Sequence, residues 1–255
     1  GATPVPLPLQ EKRGFRSDLN DLADRITDKT RMVIFNSPQN PTGGVLEKED
    51  IKGIADLVRG KPIWLLADEI YSDILYEGSH HSILKEPGMP EQTILLDGFS
   101  KTYAMTGWRL GYGVMPVELA KSVARLATNC NSCVATFVQK AGVAALTGPR
   151  GEVEAMAAEF RRRRDRIVAG LNDIPGVSCV MPRGAFYAFP NITGLGATSE
   201  ELAAACLDEA GVAVLSGTAF GKFGQGYLRL SYANSLENIE LALDRLSKLF
   251  AARRR

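Results

Sequence analysis

Ile63-Trp64-Leu65-Leu66-Ala67-Asp68 is an apolar run closed by a carboxylate. Such a run reads as a strand buried on both faces, and strands of that kind belong to parallel sheets. On its N-terminal side, residues 47–59 predict a helix with Ile51, Ile54, Ala55 and Val58 on one face. Earlier still, Arg31-Met32-Val33-Ile34-Phe35 predicts a strand that ends in the turn-rich Asn36-Ser37-Pro38-Gln39-Asn40-Pro41-Thr42-Gly43-Gly44. On the C-terminal side, further strands are expected at 94–96 and 110–114. Strand and helix alternate. The expected fold class is therefore α/β, a mostly parallel sheet covered by helices.

Away from this centre, residues 18–26 predict a short helix with Ser17 as its N-cap. Helices are expected at 116–127 and 136–146, and a long one at 151–171. The remainder changes character. Strands at 177–180 and 185–189, joined through Pro182-Arg183-Gly184, precede a helix at 199–210 and strands at 212–215 and 226–231. A helix at 236–250 closes the chain. The reading is a large domain over 1–150 and a smaller α+β domain over 151–255, hinged on the long helix.

Thirty basic against 29 acidic side chains give a formal charge of +1, so no global field selects nucleic acid or an anionic membrane. No apolar run is long enough to span a bilayer, and a cytoplasmic setting is expected. The four cysteines do not form a disulfide framework in a chain of 255 residues. Cys130-Asn131-Ser132-Cys133 lacks the second pair that zinc would want, so no metal is expected. His80-His81 reads as surface loop. Gly221-Lys222-Phe223-Gly224-Gln225-Gly226 lies between strands rather than opening a helix, unlike a dinucleotide loop. Arg161 to Arg164 stand beside Glu152, Glu154, Glu159 and Asp165 and read, like Arg253 to Arg255, as solvated charge.

Polar groups gather at the predicted strand ends: Asn40, Asp68 with Tyr71, Lys101 with Arg109, and Arg229. Open parallel sheets bind ligands at that edge. Asp68 is either the N-cap of a helix over 69–75 or a carboxylate matched to a donor or cation. If that segment is helical, Tyr71 shares its face. A lysine at a strand exit can act as a nucleophile toward carbonyls, and an arginine is suited to phosphate or carboxylate. Together these groups fit a pyridoxal-type cofactor. Its aldehyde needs an amine, its ring nitrogen a carboxylate, its phenolate oxygen a tyrosine and an asparagine, and its phosphate a fixed cation.

Asn40-Pro41-Thr42-Gly43, Asp68-Glu69-Ile70-Tyr71, Ser100-Lys101 followed by Gly107-Trp108-Arg109-Leu110-Gly111-Tyr112, and Tyr227-Leu228-Arg229-Leu230-Ser231 follow one another in a recognisable order. In this order they resemble the class I/II aminotransferases, the aspartate aminotransferase-like, fold-type I enzymes that use pyridoxal 5'-phosphate. The resemblance extends through Pro182-Arg183-Gly184-Ala185-Phe186-Tyr187. It implies that Lys101 is the aldimine lysine, Asp68 pairs with the pyridine nitrogen, and Tyr71 and Asn40 reach the ring oxygen. It further implies that Arg109 binds the cofactor phosphate, that Arg229 binds the substrate carboxylate, and that Asn40 also contacts the substrate. An amino acid and a 2-oxo acid are then the substrates, with no nucleic acid or membrane partner, and the full-length protein is a homodimer. Such folds also host C–S lyases, synthases and non-catalytic regulatory domains. Two departures stand out. Gly98 occupies a position where many relatives carry a phosphate-binding serine, and the chain is expected to begin inside the large domain.

Overall fold

The computed structural model describes residues 1–253, and Arg254 and Arg255 of the terminal arginine run lie outside the described residues. The chain forms two compact units. Gly1–Leu7, Ser17–Pro38 and Val45–Ala155 make the first; Pro8–Arg16, Gln39–Gly44 and Met156–Arg255 make the second. A linear division at residue 150 does not anticipate the two early segments that belong to the second unit.

In the first unit, helix α1 spans Leu19–Arg25. Its N-cap is Asp18, whose carboxylate accepts from the Asn20 N–H at 2.9 Å. The expected cap, Ser17, is buried instead. Strand β1 (Met32–Asn36) leads to helix α2 (Lys48–Val58), which starts with a reciprocal capping box between Glu47 and Asp50. Strands β2 (Trp64–Asp68), β3 (Thr93–Gly98) and β4 (Gly111–Val114) complete a sheet of order β1-β2-β3-β4. The first three strands are parallel and β4 runs antiparallel to β3.

The apolar stripe Ile51, Ile54, Ala55 and Val58 of α2 packs with Leu65 and Ala67 of β2 and with Val33 and Phe35 of β1. Alternate strand residues point to the other face. There Met32, Ile34, Trp64 and Leu96 are exposed, Ile34 at 68%. Among the described residues, helices therefore cover one face of this sheet rather than both. Helices α3 (Val117–Asn131) and α4 (Thr136–Thr147) follow, and α3 has no buried residue.

Helix α5 (Gly151–Asn172) runs from the first unit into the second. The second unit contains β5 (Tyr187–Ala188), α6 (Ser199–Asp208), β6 (Leu215–Ser216), β7 (Leu228–Ser231) and α7 (Leu236–Arg253). Its sheet is antiparallel with β7 central, in the order β5-β7-β6. The strand expected at 177–180 is absent; a single bridge, Ser178 to Asn191, stands in its place. Of 185–189 only Tyr187 and Ala188 pair. The arginine run of α5 is not a uniformly solvated face. Arg162 and Arg163 pair with Glu159, whereas Arg164 is buried and donates to the Pro182 carbonyl at 3.0 Å.

Candidate active site

Because β2 and β3 are parallel, their carboxyl ends, Asp68 and Gly98, share one edge of the first unit's sheet. Gly111 of β4 lies opposite Gly98, which holds both ends of the 99–110 connection, with Lys101 and Arg109, at that edge. Asp68 is half-buried, and its Oδ1 accepts from the Ile70 N–H at 3.2 Å. No cation among the described residues pairs with it. Burial pushes its carboxyl pKa up, the Ile70 N–H opposes this, and the neighbouring Glu69 charge adds to it.

Asp68 does not cap a helix. Residues 70–73 form turns, with Ser72 N–H bonded to Glu69 O at 2.8 Å and Ile74 N–H to Tyr71 O at 2.9 Å. The turn buries Tyr71, and Lys101 Nζ lies 5.9 Å from the centroid of its ring. Glu69, which the sequence left without a role, is buried with Oε2 2.7 Å from His80 Nε2 and Oε1 without a partner among the described residues. His80 is thus docked against a carboxylate, contrary to the surface-loop expectation, because a buried Glu requires a donor.

Gly98 has a steric explanation. A Cβ there would sit 2.9 Å from Gly111 Cα and 3.1 Å from Leu110 O, so β3 and β4 approach too closely for a serine. Arg109 is exposed, adopts a left-handed backbone with φ 55, and donates from Nη1 to Thr106 O at 2.9 Å. No carboxylate among the described residues pairs with it. In the preceding strand, Asp97 Oδ2 accepts from the Tyr112 hydroxyl at 3.1 Å, and burial together with that charge pushes Tyr112 up to about 12.

Asn40 and Arg229 belong to the second unit. The Asn40-Pro41-Thr42-Gly43 loop is clamped there by the Gly43 carbonyl, which accepts from Arg183 N–H at 2.9 Å and Gly184 N–H at 3.1 Å. Gly43 has φ +70, and a Cβ on it would fall 2.4 Å from Pro182 Cβ, so only glycine fits. Asn40 Oδ1 accepts from Arg229 Nη1 at 2.9 Å. Arg229 lies on central β7, and Tyr187 on β5 pairs with Ser231, two residues further along. Tyr187 is therefore a diagonal neighbour on Arg229's own face. Its ring centroid is 4.6 Å from the guanidinium carbon, and that of Phe220 is 5.0 Å away. Sequence reasoning missed both rings. The strands carrying Tyr187 and Arg229 were both expected, but not their register.

The model of the family described as Aminotransferase class I and II matches residues 1–246. The chain belongs to the class I and II aminotransferases. Among relatives within this aminotransferase family, the Pyrococcus horikoshii protein named aspartate aminotransferase is 44% identical over 250 residues, which is 97% of this chain and 63% of that protein. Aromatic-amino-acid aminotransferase 2 of Thermococcus litoralis is 42% identical over 252 residues, 98% of this chain and 64% of its own length. In three dimensions, the aromatic aminotransferase from Pyrococcus horikoshii superimposes with a TM-score of 0.96 at 42% identity, over 99% of this chain and 68% of that one. The chain spans less than two thirds of these curated relatives. The fold is that of the aminotransferases, and no helix among the described residues is long and apolar enough to cross a membrane.

Proposed function

We propose that the whole protein is a pyridoxal-phosphate-dependent aminotransferase that moves an amino group between an amino acid and a 2-oxo acid. The observation that carries this reading is Lys101 Nζ against the buried Tyr71 ring, on the sheet edge that Asp68 also occupies. The donor set fits the cofactor. Asp68 is a half-buried carboxylate without a cationic partner among the described residues, suited to a protonated ring nitrogen. Arg109 offers a guanidinium without a carboxylate partner among the described residues, suited to phosphate. The family resemblance assigns Tyr71 and Asn40 to the ring oxygen.

Pyridoxal phosphate, when bound, supplies an aldehyde that condenses with amines and an electron-poor ring that accepts the pair left when a Cα–H bond breaks. Lys101 Nζ would carry the cofactor at rest, then take the substrate's Cα proton and return it. Asp68 would hold the proton on the ring nitrogen. Tyr71, packed beside Lys101, would donate its hydroxyl to the ring oxygen. Arg229, steadied by Asn40, would bind the α-carboxylate and fix the direction of the Cα–H bond. On this reading residues 1–150 form the main body of the cofactor-binding domain, residues 151–255 the smaller domain, and the protein acts as a cytoplasmic homodimer.

The test is a pair of half-reactions with the full-length protein and cofactor. An amino acid should yield its 2-oxo acid together with the aminated cofactor, and a second 2-oxo acid should then be consumed in equal amount. Release of a 2-oxo acid without uptake of a second one would favour lyase chemistry instead.

A further inference from the structure

We infer that Phe220 and Tyr187 are positioning residues that hold Arg229 for a carboxylate without neutralising it. This rests on the reading of Arg229 as the group that binds the substrate carboxylate. The observation concerns how a partly buried guanidinium is held. Arg163 and Arg164, which are partly or wholly buried, pair with Glu159 and Asp165. Arg229 pairs with no carboxylate among the described residues. It is held by a neutral amide oxygen, Asn40 Oδ1 at 2.9 Å, and by two rings at 4.6 and 5.0 Å.

Its Nε is buried and has no acceptor among the described residues. A buried N–H without a partner is costly. Here the negative faces of two aromatic rings supply the electrostatic compensation. A carboxylate placed at Nε would do so more strongly, but it would also compete with an incoming anion for the same cation. Rings attract the guanidinium through their quadrupoles while its charge remains to be satisfied.

The rings are themselves held. Tyr187 is buried and packs tilted on Phe186 at 4.9 Å between centroids. Phe220 meets Phe189 edge to face at 6.4 Å, and Phe189 stacks on Tyr227 at 5.0 Å with 2° between planes. Phe220 is 39% exposed, in the short helical turn Gly217–Phe220 after β6. Its side chain can therefore be shortened with little damage to the core.

The experiment uses full-length holoenzyme variants Phe220→Leu, Phe220→Tyr and Arg229→Ala. A second readout is calorimetric binding of propanoate to the cofactor-free full-length protein. Loss of one desolvated cation–π contact is expected to raise KM for both the amino acid and the 2-oxo acid about tenfold in Phe220→Leu. Its kcat should stay within about twofold, and propanoate affinity should fall by about the same factor as KM rises. Phe220→Tyr, which keeps a ring, should restore both. Slow turnover of the decarboxylated amine, which has no carboxylate to bind, should not change. Unchanged KM and propanoate binding in Phe220→Leu, with both impaired in Arg229→Ala, would overturn the inference alone. Equal loss with the amine and the amino acid would also overturn it, since general damage would then explain the effect. If Arg229→Ala changes neither quantity, the carboxylate role of Arg229 itself fails.

Discussion

Among the described residues, Arg109 in the first unit and Arg229 in the second both have no carboxylate partner, yet they are held in opposite ways. Arg109 is exposed on a connecting loop, and its side chain donates to a carbonyl three residues back. Arg229 projects from a central strand between an amide and two buttressed rings. A ligand arriving at Arg109 must order the side chain, whereas Arg229 has already lost most of its rotamer freedom. A cation can thus be reserved for an anion either by exposure or by a neutral cage, and only the second fixes its direction beforehand.

The largest expected effect breaks the pair apart. Arg109→Ala in the full-length protein should weaken cofactor affinity by about 10- to 100-fold, the scale of a lost charged hydrogen bond. Saturating cofactor should leave KM for the amino acid near wild type. Arg229→Ala should do the reverse, raising KM with cofactor affinity intact. Equilibrium dialysis of the cofactor alongside steady-state kinetics would reveal any crossover, and a crossover would mean the two arginines do not have separate ligands.

A smaller effect concerns the backbone behind Arg109. Gly98→Ser would introduce a hydroxyl at the end of β3, but its Cβ would press on Gly111 Cα. The overpacking should cost about 1–3 kcal/mol in chemical unfolding and bring no gain in cofactor affinity. Tighter cofactor binding at unchanged stability would contradict the steric reading.

The smallest effect is a pH dependence at Asp68. Its folded-state pKa is raised, mainly by burial, so the folded protein holds that proton more tightly than the unfolded chain does. The stabilising contribution is complete at pH below the ordinary carboxylate range and is lost as pH rises through the raised folded value. Asp68→Asn lacks this titration. In the cofactor-free full-length protein, the Tm of Asp68→Asn relative to wild type should be higher at pH 7 than at pH 4. An equal difference at both values would show that Asp68 titrates normally.

Much of the first unit was legible because its strands are apolar runs and α2 carries an apolar face at helical spacing. The second unit was harder. Val177, Cys179 and Ala185 are buried as strand residues would be, but Pro182 and Pro190 cannot donate to a ladder, so little of that stretch pairs. The turn at 70–73 carries apolar residues that also suit a helix, and i to i+3 bonds took precedence. Arg164 was read by its charge, yet Phe160, Arg164, Ile167 and Leu171 share helical spacing on a buried face. The chemical groups of the candidate site were readable as motifs. Their holders were not, since Phe220 and Tyr187 come to Arg229 through strand register and a tertiary contact.

The assignment of Lys101 as the cofactor-bearing amine is tested most directly by reductive trapping. Full-length protein is mixed with pyridoxal phosphate, reduced with borohydride, digested and mapped by mass spectrometry. The account predicts one stoichiometric label, on Lys101, that is lost in Lys101→Ala. A stoichiometric label on any other lysine, or persistence of the label in the Lys101→Ala variant, would contradict it.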